Sequence, residues 1–178
     1  MLNAPNFITL LRVLLVPALL YFLTQQSYLQ ALLVFIAAGL SDALDGFLAR
    51  RLNQFTRFGA ILDPVADKLM IVSALVMLTW QAQIPMWLTL ALLLRDLVII
   101  SGALAYRLRA GSLEMAPTFL GKTHIALVFM LLALVMGSAA EIAGIASALP
   151  ALFALTLVTG IVSGAQYVWV WGNKAAKL

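Results

Sequence analysis

Six apolar runs, each about twenty residues long and separated by short polar stretches, make up most of this chain. They lie at approximately 7–24, 28–49, 60–80, 84–106, 118–139 and 149–171. The hydrocarbon core of a bilayer is about 30 Å thick and takes roughly twenty helical residues to cross, so each run is long enough to span it. A backbone inside that medium finds no water to bond, and only segments that satisfy their own N–H and C=O groups are stable there. The expected fold is all-α: a polytopic membrane protein with six transmembrane helices, built as a single domain over residues 1–178. Composition agrees, since 10% of residues are charged where soluble proteins carry about 25%. There is no internal repeat and no linker. The N-terminus lacks a basic region followed by a small-residue cleavage site, so the first helix is expected to be retained. The absence of cysteine excludes disulfides and thiol chemistry.

The distribution of lysine and arginine gives the orientation. Arg50, Arg51 and Arg57 follow the second run, Arg107, Arg109 and Lys122 follow the fourth, and Lys174 and Lys177 close the chain. The alternate connections, near residues 25–27, 81–83 and 141, carry no basic residue. The positive-inside rule therefore places both termini and the Arg50–Arg57 connection in the cytoplasm. The net charge of +4 reads as topology and contact with anionic lipid, which disfavours a nucleic-acid partner.

Acidic residues are concentrated around that same connection, in "SDALDGFLARRLNQFTRFGAILDPVADK". On a helix, residues three and four apart share a face, so Asp42, Asp45, Gly46 and Ala49 form one stripe at the end of the second helix. Gly59, Asp63 and Asp67 form another at the start of the third. Both stripes set carboxylates beside nearly absent side chains. The short connection makes the helices antiparallel neighbours, and the expected active site lies between helices 2 and 3 at the cytoplasmic side. Pro64 is expected either to open the third helix or to kink it.

Four converging carboxylates beside a low-dielectric medium require cations. Oxygen donors with no histidine or cysteine nearby favour Mg²⁺ or Mn²⁺, and four carboxylates suffice for two ions that share a bridging ligand. Mg²⁺ commonly completes its octahedron with phosphate oxygens, and the small residues leave room for a phosphate-bearing ligand that Arg50 can pair with. The carboxylates alone also admit an ion or proton path in a small transporter, although such a relay needs neither the glycines nor this spacing. Helix capping accounts for them less well, since a cap uses one residue per terminus.

The pattern Asp42-x2-Asp45-Gly46-x2-Ala49-Arg50-x8-Gly59-x3-Asp63-x3-Asp67 resembles the full signature of the CDP-alcohol phosphotransferases. The opening "NAPNFITLLR" is also similar to theirs. The resemblance implies an integral membrane enzyme, normally a homodimer, that moves a phosphatidyl group from CDP-diacylglycerol to an alcohol and releases CMP. It implies that Asp42, Asp45, Asp63 and Asp67 bind two Mg²⁺ (or Mn²⁺), that Asp67 is also the general base, and that Gly46, Ala49, Arg50 and Gly59 hold the CDP moiety. It further implies a bacterial inner-membrane location with a cytoplasmic active site.

The acceptor is sought in "LLLRDLVIISGALAYRLRAGSLEMAPTFLGK". Arg95 and Asp96 sit where charge is costly, so each should face protein or a polar cavity, either pairing locally or serving the acceptor. Arg-Asp, a basic segment, Pro-Thr and Lys122 resemble the CMP-forming cardiolipin synthases, which implies phosphatidylglycerol as acceptor. The phosphatidylglycerophosphate synthases usually show Arg-Glu, a further arginine soon after, and a second base where this chain has His124. Arg95, Arg107, Arg109 and Lys122 are nonetheless candidate acceptor-binding residues, and could also form a pocket for glycerol-3-phosphate.

The remaining features have simpler readings. His124 is expected to be packed or interfacial. Gly160 and Gly164 are expected to serve helix packing. Tyr167, Trp169 and Trp171 read as an interfacial aromatic belt.

Overall fold

The computed structural model describes the backbone of residues 4–52, 57–110 and 118–175, and side chains at 13–41, 65–106, 108 and 118–170. The apolar runs form six helices: α1 (Ala4–Thr24), α2 (Tyr28–Leu52), α3 (Arg57–Trp80), α4 (Met86–Ala110), α5 (Phe119–Ala139) and α6 (Leu149–Ala175), with one 3-10 turn at Ala146–Ala148. Several helices continue past the apolar stretch. Thus α2 carries on through Asp45 and Arg50, and α4 runs four residues beyond Tyr106 to include Arg107 and Arg109.

Proline positions follow from its missing N–H. Pro5 and Pro150 lie in first turns, where that N–H would have no helical partner. Pro85 immediately precedes α4, and its carbonyl accepts from the Leu88 N–H at 3.0 Å. Pro17 and Pro64 are interior, because α1 and α3 begin well before them. Pro64 therefore does not open the third helix.

Helices α1, α3 and α5 end in the same way. Gln26, Ala82 and Glu141 adopt φ values of 54°, 57° and 61°. The following N–H turns back to the carbonyl five residues earlier: Ser27 to Phe22 at 2.9 Å, Gln83 to Leu78 at 2.9 Å, and Ile142 to Gly137 at 3.0 Å. This is the Schellman closure, which satisfies terminal carbonyls and reverses the chain sharply. All three lie in the connections that lack basic residues.

Packing divides the chain into two units. The first comprises Met1–Gln83 with Leu132–Ala146, and within it α1 packs on both α2 and α3. Leu19, Leu23, Phe35, Leu78, Leu132 and Met136 are fully buried there. The Gln81 side-chain Nε2–H donates to the Leu23 carbonyl, joining the ends of α3 and α1. The second unit comprises Ile84–Leu131 with Ser147–Leu178, and α4 packs on α6. Its buried residues include Leu88, Leu92 and Leu131 together with Thr89, His124, Thr156 and Ser163.

Large apolar side chains also cover the outside. Leu94 and Leu97 on α4 are 61% and 62% exposed, and Ile100 and Leu104 continue the same surface. Among the described residues, Met86–Tyr106, Phe119–Ala139 and Ala146–Val170 are long and apolar enough to cross a membrane. Val13–Thr24 and Tyr28–Ser41 are shorter apolar stretches.

A left-handed backbone costs a non-glycine residue about 1–2 kcal/mol, and the exposed Ala82 side chain returns little for it. Ala82→Gly is expected to raise the unfolding free energy by up to about 1 kcal/mol, read from an SDS-unfolding titration in mixed micelles. Gly144→Ala, at φ 82°, should lower it.

Candidate active site

Both aspartate stripes lie in register with buried faces. On α2, Ala31, Phe35 and Ala38 are buried while Leu29, Leu33 and Leu40 are exposed. Position 42 follows Ala38 by four residues and position 45 follows it by seven, so both fall on the protein-facing register. On α3, Met70, Ala74 and Leu78 are buried, three, seven and eleven residues after Asp67, whereas Val65, Leu69 and Val76 mark the exposed face. Asp67 is partly buried, and position 63 lies one turn before it. α1 packs against both helices.

The helices run unbroken through Asp42, Asp45, Gly46, Ala49 and Arg50, and through Gly59, Asp63 and Asp67. The i, i+3 and i, i+4 relations expected from the sequence therefore hold. The side chains at 42–64 are outside the described residues, and so is the expected convergence of the four carboxylates. A donor set of carboxylate oxygens alone, two on each of two helices, suits a hard divalent cation.

The second unit contains its own polar constellation. Arg95 and Asp96 form an ion pair at 2.9 Å, with side chains only 10% and 19% exposed. Arg95 also donates from Nη2 and Nε to Ser163 Oγ on α6, at 3.0 and 3.3 Å. Ser163 in turn donates to the Gly160 carbonyl at 3.2 Å. Of the two expectations for Arg95, local pairing is the one these contacts display. The buried His124 of α5 lies with Nδ1 3.2 Å from Thr159 Oγ1 and is packed, as expected.

Gly160 and Gly164 allow this proximity. A Cβ on Gly160 would stand 3.0 Å from His124 Cε1, and one on Gly164 would stand 3.4 Å from Arg95 Cγ. The GxxxG pair thus packs α6 against helices of its own chain. A groove of about 310 Å³ runs beside it, walled by Leu92, Arg95, Val98, Ile161 and Val168 and floored by the two glycines.

At the start of α5, Thr118 is the N-cap: its Oγ1 accepts from the Gly121 N–H at 3.1 Å. The Thr118 N–H donates to Tyr167 Oη at 3.2 Å, which gives this member of the expected aromatic belt a partner within the protein. Trp169 is 71% exposed and keeps the outward reading. Lys122 is exposed, one turn into α5. Positions 107 and 109 close the last turn of α4, and their side chains are outside the described residues.

The sequence alone does not pair Ser163, Thr159 and Tyr167 with Arg95, His124 and Thr118. The available signal was periodicity: Thr156, Gly160, Ser163 and Tyr167 recur every three or four residues on an otherwise apolar helix.

A family model described as CDP-alcohol phosphatidyltransferase matches residues 2–166. A Pseudomonas fluorescens CDP-diacylglycerol–glycerol-3-phosphate 3-phosphatidyltransferase is 57% identical over 91 residues, covering 49% of this chain and 46% of that protein. A CMP-forming cardiolipin synthase of Streptomyces coelicolor is 42% identical over 148 residues, covering 77% of this chain and 67% of that protein. The human CMP-forming cardiolipin synthase is 34% identical over 145 residues, covering 72% and 48%. The chain therefore spans about half the length of the Pseudomonas and human relatives.

Removing one member of a buried ion pair leaves the other uncompensated, whereas removing both does not. Asp96→Leu alone is expected to destabilise the protein by about 3 kcal/mol, and the double variant Arg95→Met/Asp96→Leu by distinctly less. SDS-unfolding titrations of the three proteins check this. Equal losses would mean that Asp96 does not compensate Arg95.

Proposed function

Because the chain belongs to the CDP-alcohol phosphatidyltransferase family, we propose that it transfers a phosphatidyl group from CDP-diacylglycerol to a glycerol-type alcohol and releases CMP. The observation that carries this reading is the register of the aspartates: positions 42 and 45 continue the buried face of α2, and Asp67 with position 63 continues that of α3. Carboxylates so placed need cations, and a six-span protein with its site at the cytoplasmic side would keep them off the hydrocarbon.

Two Mg²⁺ or Mn²⁺ ions held by Asp42, Asp45, Asp63 and Asp67 would neutralise the pyrophosphate and the charge developing on the leaving CMP. Gly46, Ala49 and Gly59 keep side chains away from the CDP moiety, and Arg50 pairs with its phosphate. The acceptor hydroxyl oxygen attacks the phosphorus next to the lipid. Its proton passes to Asp67, and the bond from that phosphorus to the CMP oxygen breaks. Lys122, with Arg107 and Arg109, holds the phosphate of the acceptor. Arg95 lies well before Arg107 and Arg109 on α4 and is proposed to act on the acceptor side only through the Asp96 it pairs with.

Phosphatidylglycerol is the proposed acceptor, giving cardiolipin. Arg95 already serves Asp96 and Ser163, so fewer cations remain for a dianionic solute, while a singly charged phosphodiester demands less. A likeness over 77% of the chain is to a CMP-forming cardiolipin synthase. Glycerol-3-phosphate is the second reading, favoured by the higher identity to the Pseudomonas enzyme over a shorter stretch. A homodimer in the bacterial inner membrane, with both termini cytoplasmic, completes the proposal.

Purified protein given CDP-diacylglycerol, Mg²⁺ and each acceptor separately is expected to form cardiolipin from phosphatidylglycerol, with little product from glycerol-3-phosphate. Efficient phosphatidylglycerophosphate synthesis without cardiolipin would reverse the acceptor assignment. Asp67→Asn should lower kcat by about 10²- to 10⁴-fold, the usual contribution of a general base. A variant with near-normal kcat would remove Asp67 from that role.

A further inference from the structure

We propose that Tyr167 is a positioning residue for acceptor binding: by holding the first turn of α5 against α6, it presents Lys122 to the acceptor's phosphate. The inference rests on the assignment of Lys122 as an acceptor cation. Three bonds converge on Thr118. Its carbonyl accepts from the Lys122 N–H at 3.1 Å, its hydroxyl accepts from the Gly121 N–H at 3.1 Å, and its own N–H donates to Tyr167 Oη at 3.2 Å. The first two bonds shape the turn from within. The third ties the turn to a helix 49 residues away in sequence.

Glycine at 121 is the counterpart of that tyrosine. A Cβ there would stand 3.0 Å from Tyr167 Oη and 3.2 Å from its Cε2, closer than a side chain and an aromatic ring ordinarily approach. The ring is therefore seated directly on the turn whose next residue is Lys122. A lysine side chain is long and flexible, and it grips a phosphate well only when its base is fixed, since each freely rotating bond must otherwise be ordered on binding. Tyr167 lies on the same register of α6 as Thr156, Gly160 and Ser163, the face buried within the unit, so the anchor is itself held by a packed helix.

The test compares Tyr167→Phe, Gly121→Ala, Lys122→Gln and the double variant Tyr167→Phe/Lys122→Gln. Steady-state kinetics are measured in mixed micelles with CDP-diacylglycerol, varying phosphatidylglycerol, or glycerol-3-phosphate if that is the acceptor turned over. Tyr167→Phe loses one neutral hydrogen bond and is expected to raise the acceptor KM by about three- to tenfold, with the KM for CDP-diacylglycerol unmoved. Gly121→Ala, which displaces the ring, should act in the same direction. In the Lys122→Gln background Tyr167→Phe should add little further, because the residue it positions is gone. If Lys122→Gln raises the acceptor KM but Tyr167→Phe does not, or acts fully in both backgrounds, the positioning role is overturned and the phosphatidyl-transfer reading stands. If Lys122→Gln itself leaves the acceptor KM unchanged, the assignment of Lys122 fails and the inference falls with it.

Discussion

A charged side chain on the lipid-facing side of a membrane helix is costly, and the polar architecture of this protein follows from where charge is placed to avoid that cost. On α2 the exposed register holds Leu29, Leu33 and Leu40 while the buried register runs through Ala31, Phe35 and Ala38 to the positions of Asp42 and Asp45. On α3 the same division separates Val65 and Leu69 from Asp67, Met70 and Ala74. In the second unit, Arg95 and Asp96 sit mid-helix in α4, each largely buried and each compensating the other, with Ser163 Oγ accepting from the guanidinium Nε and Nη2. The two units thus differ in how charge on these inner registers is compensated. The α4 pair couples opposite charges, whereas the aspartates of α2 and α3 are proposed to be compensated by divalent cations.

The helices themselves were largely legible in the sequence, because membrane-length apolar runs leave the backbone no alternative to α-helix. Their limits differ where polar residues extend a helix beyond its apolar core, as at Arg50 and Arg51 of α2 and at Arg107 of α4. The tight closures at Gln26, Ala82 and Glu141 were not legible, since the usual glycine is absent from the left-handed position. The aspartate spacing was legible because it depends only on helical periodicity. The bond from Arg95 to Ser163 spans 68 residues and depends on how α4 meets α6, which a single sequence does not reveal.

The small residues of α6 show how this second kind of information is written. Gly160 and Gly164 read as a generic packing motif, yet each gives space to one particular neighbour, His124 in one case and the stem of Arg95 in the other. Gly121 does the same for Tyr167. Close approach, more than backbone freedom, is what these glycines provide, and it lets polar groups meet in a helix pair that otherwise gains little from burying apolar surface against lipid-like surroundings.

The central claim is that the aspartates of α2 and α3 together hold two divalent cations. Electron paramagnetic resonance of Mn²⁺ titrated into the purified protein in the presence of CDP tests it most directly, since bound and free Mn²⁺ give different signals without any need for turnover. Two tightly bound, mutually coupled Mn²⁺ per chain are predicted, falling to one or none when Asp63→Asn removes a carboxylate. Mn²⁺ binding that is absent, or whose stoichiometry is the same in the wild-type and Asp63→Asn proteins, would contradict the account.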